Sequence, residues 1–150
     1  MSRRHIIFSS LVMVGALALS GCSAGSEPAA SAVPTAEGTT ADVQACTDFS
    51  DVLTIVANAD TGLRDGRMAA QEQEGWNRLA ARVLDRITAG EDTEVGSAIS
   101  ALKNVAPAVD IGAVQTNDIG SQEWNIGVDD LSTACAGVDV ELAVMMFTGG

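Results

Sequence analysis

Three groups of carboxylates are the residues of this chain whose types and spacing could support acid–base chemistry: Asp48 with Asp51, Glu91 with Asp92 and Glu94, and Asp129 with Asp130. Asp48 and Asp51 stand three residues apart, so a helix would place both on one face, where they could act as acid and base. Acids at a helix N-terminus also stabilise the helix dipole. We interpret all three groups as solvated or capping acids and keep catalysis by carboxylates as the alternative.

The composition excludes the residue combinations that most often serve as catalytic nucleophiles or as metal ligands. The only histidine among the 150 residues is His5, and tyrosine is absent. No imidazole therefore follows residue 5, either as a general base or as a zinc ligand. Residues 58–66 contain the Asp and Gly of a calcium loop but lack its acidic first position and its terminal bidentate Glu. We interpret this segment as an ordinary turn and expect neither a metal nor a cofactor.

The charge of the chain is strongly negative, at −12 for 20 acids and eight bases. Arg3 and Arg4 precede every acid, so residues 22–150 carry six bases against 20 acids, about −14. Such a surface repels polyanions. We therefore expect no nucleic-acid partner and no binding to an anionic membrane surface through charge.

Residues 1–22 have the three parts of an export signal. Arg3 and Arg4 form a basic start, and residues 6–19 form a mostly apolar stretch of 14 residues. That stretch is too short to anchor the chain across a bilayer, but it suits a cleavable signal. The segment ends in Leu19, Ser20, Gly21 and Cys22.

This Leu-Ser-Gly-Cys sequence resembles the lipobox of bacterial lipoproteins. The resemblance implies that the Cys22 thiol receives the lipid and that a signal peptidase cuts between Gly21 and Cys22. It also implies a protein held by its lipid on the extracytoplasmic face of the cell membrane, similar to small actinobacterial lipoproteins of uncharacterised function. Residues 2–7 resemble a twin-arginine export motif as well, so the export pathway stays open.

Residues 23–41 are composed almost entirely of Ser, Ala, Gly, Thr, Pro and Glu, with Val33 as the one larger apolar residue. Such a segment buries too little apolar surface to fold. We expect a disordered tether over residues 22–41, with a typical reach of about 24 Å, and a folded domain over residues 42–150.

Four segments of that domain have the apolar periodicity of helices: about 42–59, 69–89, 93–106 and 121–136. Thr93 and Ser121 are the expected N-caps of the last two helices, while Gly90 and Pro107 stop the second and third. Asn58, Asp60 and Gly62 are expected to end the first. The predicted core stripes comprise Cys46, Phe49, Leu53 and Val56; Trp76, Leu79, Ala80, Val83 and Ile87; Val95, Ala98, Ile99, Leu102 and Val105; and Trp124, Val128, Leu131 and Cys135.

The tail, from Val138 onwards, has two patterns. Val138, Val140, Leu142, Val144 and Met146 alternate as in a strand, whereas Leu142 and Met145 continue the helical spacing. We favour a helix to about residue 136 and leave the tail open between helix and extended chain. Met145, Met146 and Phe147 are interpreted as core or cover, with a hydrophobic docking segment as the alternative.

Four amphipathic segments with short connections predict an all-α fold, a small antiparallel four-helix bundle. Cys46 lies near the start of the first helix and Cys135 late in the fourth, so an up-down-up-down bundle brings them together. An exported protein is in an oxidising compartment, where paired cysteines are the default. We predict a Cys46–Cys135 disulfide, which closes a loop of 89 residues and is worth about 4–5 kcal/mol in the chain-entropy model.

Two functions compete at this point. The anchor, the tether and the missing catalytic set favour a binding or scaffold module that contacts an envelope protein or another ligand. The alternative is a carboxylate-based enzyme of the cell envelope that uses Asp48 and Asp51. A pocket holding two convergent carboxylates would favour the enzyme, and a filled core without one would favour the binding module.

Overall fold

The computed structural model describes residues 36–110, 112 and 117–147, apart from the side chains of residues 36–39. The predicted signal, Cys22 and the tether up to residue 35 lie outside the described residues. Four helices follow in chain order: α1 (Ala36–Arg64), α2 (Ala70–Arg86), α3 (Glu94–Val105) and α4 (Gln122–Ala136). The predicted all-α four-helix architecture is confirmed.

The helices form two hairpins that share one core. α1 packs along α2, α3 packs along α4, and contacts between the two pairs are sparser. The largest fully buried side chains come from all four helices: Phe49, Val52, Leu84, Val95, Leu102 and Leu131, with both disulfide cysteines. The predicted stripes of α1, α3 and α4 therefore face the core as expected.

α1 is longer than predicted at both ends. It begins at Ala36, six residues inside the expected tether, because extending an existing helix requires no new nucleus. It continues past Asn58 and Asp60 and ends where Gly66 adopts a φ of 69°. There the Arg67 N–H donates to the Gly62 carbonyl at 2.9 Å, the 6→1 hydrogen bond of a Schellman motif. The residue that stops this helix is thus Gly66, and the predicted turn over 58–66 is wrong.

The predicted caps of α3 and α4 are confirmed. Thr93 Oγ1 accepts the Gly96 N–H at 2.9 Å and Ser121 Oγ accepts the Trp124 N–H at 3.1 Å. α2 ends earlier than expected, at Arg86. Lys103 of α3 donates from Nζ to the carbonyls of Asp85 and Ile87 at 2.9 and 2.7 Å. A cation thus satisfies carbonyls that the end of a helix leaves without partners.

The predicted core face of α2 is partly wrong. Ala80, Ala81 and Leu84 are buried, whereas Trp76 is 42% and Leu79 41% exposed. The buried face of α2 is thus rotated from the predicted one, and it includes two small residues, Ala80 and Ala81. Small side chains allow two helices to approach closely, which leaves the bulky neighbours at the edge of the contact.

The disulfide is confirmed. Cys46 of α1 and Cys135 of α4 are bonded, with their Cα atoms 5.8 Å apart, and both residues are completely buried. The bond therefore joins the start of the packed part of α1 to the last turn of α4, as the helix order predicted.

The tail, residues 138–147, begins with a turn at residues 138 and 139 and is extended from Val140 onwards. α4 closes with a second Schellman motif, in which Asp139 has a φ of 60° and the Val140 N–H donates to the Cys135 carbonyl at 3.0 Å. No helix follows within the described tail, so the alternating pattern is the one that the structure adopts. Among the described residues, no helix is long and apolar enough to cross a membrane.

Candidate functional site

The tail is bound to α1 by three side chains that stand one helical turn apart, here called the polar ladder (Ser50, Thr54 and Asn58). Their side-chain oxygens accept alternate tail N–H groups: Ala143 to Ser50 at 3.1 Å, Met145 to Thr54 at 3.1 Å and Phe147 to Asn58 at 2.7 Å. Four helical residues advance about 6 Å and two extended residues about 6.6 Å, so the two repeats match. The helix thus supplies to the tail the acceptors that a neighbouring strand would supply.

The side-chain amide of Asn58 binds the end of the tail through both its oxygen and its nitrogen. Its Oδ1 accepts the Phe147 N–H, and its Nδ2 donates to the Met145 carbonyl at 2.7 Å. The second Nδ2 hydrogen satisfies the Thr54 carbonyl of the same helix at 2.8 Å. A side-chain amide has one acceptor and two donors for such contacts, so the pattern of Asn58 fixes both the position and the direction of the tail.

The side chains of the tail divide into two parts. Val138, Val140 and Leu142 pack against the core. The last four residues of the described tail, 144–147, are large and apolar and remain exposed, with 65% of Phe147 accessible. Of the two interpretations of Met145, Met146 and Phe147 as core or cover, core is therefore wrong, because a single extended segment lying on one helix covers only its inner side. Tail cover and a docking segment remain the two alternatives.

A cavity of about 350 Å³ lies where the tail ends, between α1 and the start of α2. We call it the Trp76 groove and define it by its lining: Thr54, Ile55, Asn58, Ala59, Gly62, Arg67, Met68, Trp76 and Phe147. Its walls are mostly apolar and include two aromatic rings. This size and lining are typical of a small ligand-binding cleft.

The groove depends on a glycine of α1. A Cβ on Gly62 would come within 3.2 Å of the Met68 side chain, so this glycine lets the loop after α1 fold back closely. The polar side chains that line the groove are Thr54, Asn58 and Arg67. The Arg67 guanidinium is paired with Asp65 at 3.0 Å. Both groups of this pair are about half exposed, so the pair contributes little to stability.

The predicted carboxylate groups do not converge on a buried centre. Asp51 is exposed, and Asp48 accepts a hydrogen bond from Gln44 at 2.7 Å. Asp129 and Asp130 are exposed on α4. Glu91 and Asp92 border an open depression of about 880 Å³ over the α2–α3 turn, and both side chains face solvent.

The calcium-like segment 58–66 holds no such loop, because residues 58–64 belong to α1. Asp60 accepts a hydrogen bond from Gln73 of α2 at 2.6 Å, and Asp65 pairs with Arg67. In the described part of the chain, no three His, Cys, Asp or Glu side chains form a group that could hold a metal ion.

Asp42 is an important residue that the sequence analysis missed. It is only 3% exposed, and its Oδ1 accepts both the Gly90 N–H at 2.8 Å and the Thr93 hydroxyl at 3.0 Å. Asp42 therefore ties α1 to the α2–α3 turn. The sequence pattern marked residue 42 only as the approximate start of the first helix, and nothing in the sequence alone pairs Asp42 with residues about 50 positions away.

The charges are distributed unevenly around the tail. After Lys103 the chain has seven acids and no base. Asp139 and Glu141 are exposed at the start of the tail, and Asp51 is exposed beside Ser50 of the polar ladder. Arg67 lies at the opposite end, in the Trp76 groove. The face that carries the tail is thus acidic at one end and has a cation at the other.

No protein-family model matches this chain, and neither the curated proteins nor the solved structures give a match. The function is therefore argued from the groove, the tail and the sequence of the chain itself.

Proposed function

We propose that this chain is a lipoprotein, anchored through Cys22 on the extracytoplasmic face of the cell membrane, and that its helical domain is a binding module. Its binding site is the Trp76 groove together with the exposed end of the tail. One observation carries the second part: Trp76 of α2 and Phe147 of the tail line one cavity, and they are 42% and 65% exposed.

Exposure of these rings needs an explanation because the chain has so few of them. Only five aromatic residues are present, two Trp and three Phe, and complete burial of a large apolar side chain contributes about 1.5–3 kcal/mol. Phe49 and Trp124 make that contribution in the core, with ring centroids 6.1 Å apart. Clustered exposed apolar residues mark interaction sites in folded proteins, and aromatic rings are preferred contact residues there.

The alternative, a carboxylate-based enzyme, has weaker support. Asp48 and Asp51 line neither the Trp76 groove nor the depression over the α2–α3 turn. The pair that does border a cavity, Glu91 and Asp92, is exposed to solvent. A general acid or base must lie within hydrogen-bond reach of the reacting group, and two solvent-facing carboxylates beside an open depression do not enclose a position for one.

The anchor is tested by Cys22→Ser in the full chain, expressed in a bacterium that processes lipoproteins. We expect the unmodified chain to sediment with membranes and to be released by detergent, and the variant to lose the lipid mass and the sedimentation. Ser20→Thr is a control that leaves the thiol in place. Retention of Cys22→Ser on membranes would contradict the anchor.

The groove is tested with anilinonaphthalene sulfonate, an apolar aromatic anion whose fluorescence rises in apolar sites. The full chain with Cys22→Ser is titrated beside the same chain with Trp76→Ala or Leu79→Ala. Leu79 is the matched control, because it is as exposed as Trp76 and on the same helix but does not line the groove. We expect Trp76→Ala to weaken dye binding at least fivefold and Leu79→Ala to leave it unchanged. Equal effects would contradict the assignment.

A further inference from the structure

We infer that the outer edge of the tail is a docking site for an extended peptide segment of another protein, which adds to the tail as a second strand. The segment is apolar at alternate positions and carries Lys or Arg at the end that meets Asp139 and Glu141. This inference rests on the proposed function, since it names the class of partner for the same face.

The first argument is the main chain of the tail. In an extended segment, the amides of successive residues point to opposite sides. The N–H groups of residues 143, 145 and 147 are bound to the polar ladder. Those of Val144 and Met146 therefore point away from α1, and neither has a hydrogen-bond partner in the described part of the chain. An edge of this kind is a template for strand addition.

The second argument is the absence of the usual protection of such an edge. Proteins block an exposed edge with charged residues, Pro or a bulge. Residues 142–147 contain neither a charge nor a Pro, and the side chains of residues 144–147 are all exposed. Two of these are Met, whose flexible side chains adapt to different partners. A partner segment that pairs with this edge would cover it, and this accounts for the absence of charges and Pro.

The third argument is charge, and it gives the partner a direction. Asp139 and Glu141 are exposed at the start of the tail, with Asp51 on the adjacent α1. No base follows Lys103 along the chain, so this end attracts cations. Complementary charge increases the association rate and fixes the register of an interface. A basic residue of the partner therefore belongs beside Asp139, and its apolar residues belong beside Val144 and Met146.

A peptide explains this surface better than a bilayer does. Acyl chains offer no donor or acceptor to the free amides of Val144 and Met146, and leaving such groups unpaired in hydrocarbon is costly. The acidic start of the tail would also be repelled by anionic headgroups. Binding to lipid vesicles is thus a separate result, which the experiment distinguishes.

The experiment uses a synthetic peptide of two lysines followed by alternating valine and threonine, acetyl-KKVTVTVT-amide. Its affinity for the full chain with Cys22→Ser is measured by calorimetry. Val144→Pro then removes an outward N–H that takes no part in the polar ladder, and Pro is tolerated at such an edge position. Val144→Thr is the matched control, because it keeps the N–H and the branched side chain. We expect Val144→Pro to weaken binding about tenfold or more, the equivalent of one hydrogen bond, and Val144→Thr to stay within about twofold.

Two further peptides test the inference without altering the protein. N-methylation of the alternate valines removes the donors that would face the tail, and we expect it to weaken binding as strongly as Val144→Pro. Replacing the two lysines by glutamates should weaken binding at low salt and have less effect at high salt.

Two results would overturn the inference. One is equal affinity for the methylated and unmethylated peptides. The other is no peptide binding, with or without binding of the chain to phosphatidylcholine vesicles. If the dye still binds at Trp76 in either case, the groove remains a binding site and only the inference of strand addition is contradicted.

Discussion

The Asn58 side chain accepts the N–H of Phe147 at 2.7 Å, although the two residues are 89 positions apart in the chain. This hydrogen bond places the last described ring of the tail beside Trp76, and thereby forms one wall of the groove. The same amide also binds Met145, so the polar ladder both holds the tail and shapes the candidate site.

The polar ladder should contribute measurably to stability. Thr54→Val keeps the shape of the side chain but leaves the Met145 N–H without its acceptor, and we expect a loss of about 1 kcal/mol. Thr47→Val is the matched control: its exposed hydroxyl donates only to the Val43 carbonyl of its own helix, so its effect should be below about 0.5 kcal/mol. Denaturant unfolding and amide exchange at Met145 would measure both. Unchanged exchange in Thr54→Val would contradict the role of the ladder.

Two helical glycines should respond oppositely to alanine. A Cβ on Gly96 would lie 2.1 Å from the Gly90 carbonyl oxygen, so Gly96→Ala must displace the α2–α3 turn and should cost about 1–3 kcal/mol. Gly75 of α2 has no atom within 4 Å of such a Cβ, so Gly75→Ala should stabilise the protein by about 0.5–1 kcal/mol. Thermal unfolding of both variants is the measurement, and a stabilised Gly96→Ala would show that the turn is less closely packed than the structure has it.

The buried carboxyl group of Asp42 should contribute more to the stability of the fold than the exposed carboxyl groups of the same helix. Asp42→Ala leaves the Gly90 N–H without its acceptor, which should cost about 1–3 kcal/mol. Asp51→Ala, on the exposed side of the same helix, should stay within about 0.5 kcal/mol. Because Thr93 shares the contact, the losses from Asp42→Ala and Thr93→Ala should not add. Additive losses would place the two residues in separate interactions.

The disulfide should dominate the stability of the domain. Replacing both Cys46 and Cys135 by Ala opens a loop of 89 residues, for which the chain-entropy model gives about 4–5 kcal/mol as an upper estimate. The midpoint of denaturation should fall, and a reducing agent should lower it in the unmodified chain but not in the double variant. Reaction of Cys46 and Cys135 with a thiol probe in the native chain carrying Cys22→Ser would contradict the bond.

Much of this fold could be predicted from the sequence because its signals are local. Apolar spacing identified the four helices, and Thr93 and Ser121 indicated where the last two begin. The positions of Cys46 and Cys135 followed from the order of the helices. The helices and their caps depend on residues within one or two helical turns, and the disulfide required only the order of those helices in addition.

The candidate site could not be predicted in the same way. Trp76 and Ala80 lie on one predicted stripe of α2, and only the packing of the helices decides that Ala80 is buried while Trp76 stays exposed. The alternation from Val138 to Met146 was visible, but the polar ladder on α1 that receives it lies about 90 residues earlier. Ser50, Thr54 and Asn58 have the four-residue spacing of a helix face, which in itself indicates no partner.

The central claim is that the face formed by Trp76 and the tail is where the protein binds. The most direct measurement replaces Trp76 with the photo-reactive p-benzoylphenylalanine in the full chain, expressed in a bacterium that processes lipoproteins, and compares it with the same replacement at Ile126. Ile126 is an exposed residue of α4 outside the groove. We predict a discrete protein adduct after irradiation from position 76 that is absent from position 126. No adduct from position 76, or the same adduct from both positions, would contradict the claim.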